Sequence, residues 1–118
     1  MSFDYSSNDG VYVVGSGEYS FATKWTRASD VSIHAYSDRL QGGKIAMIKN
    51  MGLFSSFHTS ECLDFTSRVW SPGVGDAIVW INKHGNMAVT KIVKIMDASR
   101  GAPSDGLTFE YHILDKPV

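Results

Sequence analysis

One cysteine, three prolines and a near-balance of charge are what this chain of 118 residues has little of, and each scarcity narrows the field. A lone Cys62 cannot close an internal disulfide, which excludes disulfide-stapled scaffolds and predicts a reducing, cytoplasmic setting. Residues Met1 to Gly10 carry Asp4 and Asp9 and lack the basic-then-apolar order of a secretory signal, in line with that expectation. No stretch approaches the ~20 apolar residues that a membrane helix requires. Eleven basic and twelve acidic residues leave a formal charge of -1, scattered without runs of one sign. A protein that displaces counterions from several phosphates gathers its cations on one face. Only the loose set Lys83, Lys91 and Lys94 comes near that, so nucleic acid is not the expected partner.

Chemical signatures are equally scarce. No G-x-S-x-G elbow occurs, and Gly15-Ser16-Gly17 is too short and stands between strands rather than before a helix, so it is turn chemistry and not a phosphate cradle. His58 and Cys62 stand four apart with Asp64 close by, but zinc sites use tighter paired spacings, and a second cysteine is missing. Cys62 itself lies between Glu61 and Leu63, where a neighbouring carboxylate opposes thiolate formation. No metal or other cofactor is expected.

What the chain does have is apolar and aromatic material. Hydrophobic residues make up 43% of it, with six Phe, five Tyr and three Trp, enough to offset the ordering of one core but not of two. Met1 to Gly10 has little to bury and reads as a flexible leader, and residues 11–118 as a single β-rich domain. Val11 to Val14 is a short strand closed by a glycine turn. From Tyr19 to Trp25, aromatics and Thr23 alternate with Ser20, Ala22 and Lys24, the period of a half-buried strand. Val31, Ile33 and Ala35 alternate with Ser32, His34 and Tyr36 in the next, and Ile45 to Lys49 forms another.

Residues Leu53 to Trp70 resist assignment, because Leu53, Phe54, Phe57 and Leu63 suit a short helix over about 53–65 while the intervening Ser and Thr favour turns. Ala77 to Ile81 is apolar throughout, as in a strand covered on both faces. A loop around His84-Gly85 leads into the strand Met87 to Met96, where Lys91 among Val89, Val93 and Ile95 demands a bend or a bulge. Leu107, Phe109, Tyr111 and Ile113 then share one face of a last strand. The expected fold is mainly β, a small antiparallel β-barrel or two-sheet sandwich ending in a three-strand meander. The turn at Gly75-Asp76, buried strand, hairpin and bent strand are similar to small SH3-like barrel modules over the last third of the chain. That resemblance of fold carries no functional residue with it.

The densest mixture of aromatic and polar groups lies between Trp25 and Asp38. Trp25, Arg27, His34, Tyr36 and Asp38, with Arg68 approaching from the unassigned segment, form the candidate ligand site. A guanidinium fork, an imidazole and aromatic faces suit a small anionic or aromatic ligand, or the centre of a protein contact. The sequence therefore points to a non-catalytic binding module for a protein partner or small ligand. The alternatives are a small hydrolase, with His34 and Asp30 or Asp38 as base and Arg27 stabilising charge, and a nucleic-acid-binding β-barrel. Open sheet edges would also permit a homodimer.

Overall fold

A computed structural model of the chain describes residues 2–6, 8–29, 31–50, 63–97, 101 and 105–114. Among the described residues, nine strands run in order β1 (Ser2–Phe3), β2 (Val11–Val14), β3 (Phe21–Arg27), β4 (Ile33–Tyr36), β5 (Lys44–Ile48), β6 (Val69–Trp70), β7 (Ala77–Ile81), β8 (Met87–Met96) and β9 (Gly106–Ile113). They form two antiparallel sheets, one ordered β1-β9-β8-β7-β5 and the other β2-β3-β4-β6. Neither sheet closes on itself, so of the two expected architectures the two-sheet form is the one observed. No helix among the described residues is long and apolar enough to cross a membrane.

Alternation decides what faces inward. On β3, Phe21, Thr23 and Trp25 are buried while Ala22, Lys24 and Thr26 turn outward; on β4, Ile33 and Ala35 are buried beneath His34 and Tyr36. The facing sheet supplies Ile45, Ile78, Trp80, Ala88, Ile92, Leu107 and Phe109 to the same core. Trp25 and Trp80 meet edge to face across it at 5.3 Å, and Trp25 lies 5.8 Å from Phe109. Both buried indoles find a hydroxyl, Trp25 Nε1 donating to Thr23 Oγ1 at 2.8 Å and Trp80 Nε1 to Thr90 Oγ1 at 3.0 Å. This removes the penalty of an unpaired donor.

β7 is covered on both faces, as its continuous apolar run requires. Ile78 and Trp80 point into the sandwich, whereas Ala77 and Val79 join Val89 in a second cluster beneath Leu63 and Phe65. The conflict posed by Lys91 is resolved one turn of the pleat later. Ala88, Thr90 and Ile92 are buried on the core side, leaving Val89 and Lys91 on the other face. The register with β9 then slips between Ile92 and Lys94, so that Val93 is the extra residue of a bulge and Ile95 returns to the core opposite Leu107. One inserted residue reverses the parity of everything after it, and it does so here to bring a second isoleucine inward.

Two expectations are corrected. The N-terminal stretch does have something to bury: Ser2 and Phe3 pair with Thr108 and Leu107, and Tyr5 is only 4% exposed with its hydroxyl donating to the Met96 carbonyl at 2.6 Å. Tyr5→Phe is expected to lower stability by about 1 kcal/mol in urea titrations, the usual worth of one such bond. An unchanged midpoint would show that this hydrogen bond adds nothing to stability. The strand that was to begin at Val31 begins at Ile33; Val31 is 69% exposed, because Ser29 ties the preceding turn to Ser32 instead. The helix expected over 53–65 falls mostly on residues 51–62, which lie outside the described residues, as do His58 and Cys62. Leu63 to Phe65 are irregular.

Candidate functional site

The six residues singled out in the sequence divide into two groups. Trp25 and Arg27 share the inward parity of β3, while His34 and Tyr36 project from the outer face of the same sheet. Arg27 stands where the core strip ends, and there it meets acidic residues of the other sheet's loops. Its Nε lies 2.9 Å from Asp97 Oδ1 and its Nη2 2.5 Å from Asp105 Oδ2. Both carboxylates are nearly inaccessible, with side-chain exposures of 1% and 7%. The hydrogen bond to Asp105 chiefly, with further support from Tyr5 and Asp97, holds the guanidinium charged even more firmly than usual. Burial first and the charge of Asp105 second push the Tyr5 phenol above its ordinary value. Arg27 therefore joins the two sheets and compensates buried charge. A cavity of about 240 Å³ opens beside it, lined by Tyr5, Trp25, Thr26 and Asp105 among others.

On the outer face, four of the six do converge. Antiparallel pairing sets Thr26 beside His34 and Lys24 beside Tyr36, and Tyr36 beside Val69 of β6. Arg68 precedes β6 and so reaches the Tyr36 ring, its guanidinium carbon 5.6 Å from the ring centroid. Its Nη1 also donates to both oxygens of Asp38, at 3.0 and 3.1 Å. Thr26 donates to the Tyr36 hydroxyl at 3.1 Å, and the His34 and Tyr36 rings stand 6.3 Å apart, edge to face. The guanidinium is thus held between an aromatic face and a carboxylate while remaining 66% exposed. Arg68 stays open to a partner yet has already lost much of its rotamer freedom.

Sequence reasoning missed Ser71. Its Oγ lies 2.7 Å from His34 Nδ1, a pairing created by the short β4–β6 ladder across 37 residues. No local pattern could have signalled it. The pairing of His34 with Asp38 as a base is not among these contacts: Asp38 is engaged by Arg68 and the imidazole Nδ1 by Ser71. Arg27 lies on the opposite side of the sheet, and Asp30 is outside the described residues. The three lysines considered for nucleic acid are also dispersed: Lys83 sits in the β7–β8 loop beside Gln41, whereas Lys91 stands opposite Glu110 and Lys94 opposite Thr108. Among the described residues no group of three His, Cys, Asp or Glu is placed to hold a metal ion.

Comparison with protein-family models, curated proteins and solved structures finds no match to any of them. The functional reading rests on this geometry alone.

Proposed function

We propose that the protein is a non-catalytic interaction module that recognises a protein partner through the outer face of its four-stranded sheet. The observation that carries the reading is Arg68, clamped between Tyr36 and Asp38, three residues that line neither of the two cavities described. Small molecules are bound in concave sites, whereas Tyr and Arg presented together on a broad face are the residues that anchor protein contacts. A complementary surface would stack apolar atoms on Tyr36 and His34 and offer a carboxylate to Arg68.

Arg68→Ala and Tyr36→Ala are each expected to weaken the complex about tenfold, the effect of losing a central anchor. Val31→Ala, a change at an exposed residue that precedes the β4 face, is expected to leave it intact. The measurement is affinity capture with wild-type and variant protein, followed by titration of the captured partner. A partner that binds all three variants equally would reject this face. A second reading, a hydrolase, draws on the Ser71–His34 pair, whose 2.7 Å separation has the reach of nucleophile and base. Ester hydrolysis by the wild type that disappears in Ser71→Ala would establish it in place of the first.

A further inference from the structure

A second cavity, about 260 Å³ in volume, lies on the flank of the molecule between the turn at Arg39 to Gln41 and the β7–β8 loop at Asn82 to His84. Its charge pattern is one-sided. Arg39, Lys83 and His84 line it together with the Gln41 amide, and among the described residues no carboxylate is part of the lining. Leu40, itself buried, and Ala22 supply an apolar wall. We infer that this cavity binds a small oxyanion carrying a short organic body, a phosphomonoester or a carboxylate.

The walls are set before any ligand arrives. Asn82 is 5% exposed, and its side-chain amide donates to the carbonyls of Glu18 and Ser20 at 2.8 and 3.1 Å. Its oxygen accepts from the backbone amides of His84 and Asn86 at 3.0 and 3.1 Å. One buried side chain thereby anchors the loop that presents Lys83 and His84 to the segment forming another side of the cavity. Lys83 Nζ reaches Gln41 Oε1 at 3.3 Å, a neutral contact that brings the two walls together while leaving the ammonium charge uncompensated by Gln41. Pre-set donors lose less freedom on binding than donors on a mobile loop. The volume lies just below the range of cavities that hold drug-sized molecules, which favours a ligand only somewhat larger than the anion itself.

Arg39 has one competitor. Its Nη2 is 2.5 Å from Asp9 Oδ2, a carboxylate that also holds Lys24 at 3.3 Å and does not line the cavity. The hydrogen bonds from Arg39 and then Lys24 keep Asp9 ionised further into acid than an ordinary aspartate. Removing that carboxylate should therefore free Arg39 for the cavity.

The test titrates the full chain with inorganic phosphate, phenyl phosphate and benzoate by calorimetry at low ionic strength, where screening is weak. Saturable binding with a Kd on the order of 1 mM or tighter is expected. Preference for phenyl phosphate assigns a phosphomonoester, and preference for benzoate a carboxylate. Lys83→Ala and Arg39→Ala should each weaken binding about tenfold, as loss of a charge-assisted hydrogen bond does. Asp9→Asn should tighten it severalfold, a change of sign that mere loosening of the fold would not produce. All three side chains are surface groups, and circular dichroism of each variant serves as the check that it is folded. Failure of all three anions to saturate, or equal affinity in the wild type and both alanine variants, overturns the inference.

Discussion

Trp80→Ala should cost about 3–5 kcal/mol in unfolding free energy, the range for truncating a fully buried aromatic, and this is the largest single loss expected in the protein. The indole has no exposed surface, packs edge to face on Trp25 and donates to Thr90. Truncation opens a cavity at the centre of the interface between the sheets, and it also leaves the Thr90 hydroxyl without that donor on a fully buried residue. A domain of this size is stabilised by only about 5–15 kcal/mol, so the variant would have lost a large part of its margin. Urea titration monitored by circular dichroism is the measurement, with an unchanged slope and a lowered midpoint expected. A loss below about 1 kcal/mol would show that the ring is not a core residue.

Asp76→Ala is expected to cost about 2–4 kcal/mol at neutral pH, because the carboxylate closes its own turn onto the Gly73 backbone amide and ties that turn to the end of β5 by charge-assisted bonds. Its Oδ1 accepts from the Asn50 amide at 2.9 Å and its Oδ2 from the Gly73 amide at 3.0 Å, with Lys49 Nζ at 3.5 Å. Burial alone would raise the pKa of this group, but the Asn50 and Gly73 amides, with the charge of Lys49, outweigh it and lower the pKa below the usual aspartate value. The sign of the pH dependence follows. With the folded pKa below the unfolded one, near 3.9, the contribution is complete above that value and is lost as pH falls through the folded pKa. Wild-type protein should therefore lose stability below about pH 4, and Asp76→Asn should lose less over the same interval. Asp9 and Asp64 are lowered too, so the acid limb is reduced rather than abolished. Identical acid limbs in the two proteins would show that Asp76 does not hold the turn.

Much of the architecture was legible because period two is a local property. Thr23 and Trp25 on β3, Ile33 and Ala35 on β4, and Leu107 and Phe109 on β9 are all buried on the side their alternation predicts. The apolar run of β7 announced two covered faces, and the misplaced Lys91 announced a bulge somewhere on β8. Its position at Val93 could not be read, since either side of Lys91 would restore the pattern equally well.

The candidate site was half legible for the same reason. Parity alone separates Arg27 from His34 and Tyr36: Arg27 follows Trp25 by two and must share its inward face, and His34 and Tyr36 must lie opposite Ile33 and Ala35. The pairing of Arg27 with Asp97 and Asp105, of His34 with Ser71, and of the Arg39 turn with the Lys83 loop had no local signal. Each joins positions that only the packing of distant strands brings together.

By itself, then, the order of residues determined the alternation of buried and outward side chains through the middle of most strands, and that the chain would make mostly antiparallel sheet. The tertiary structure alone decided which strands became neighbours, and with that which charges compensate one another and which remain available for binding. Alternation arises from the geometry of a single extended backbone, whereas partnership between strands depends on how two sheets enclose one core, a property of the whole chain.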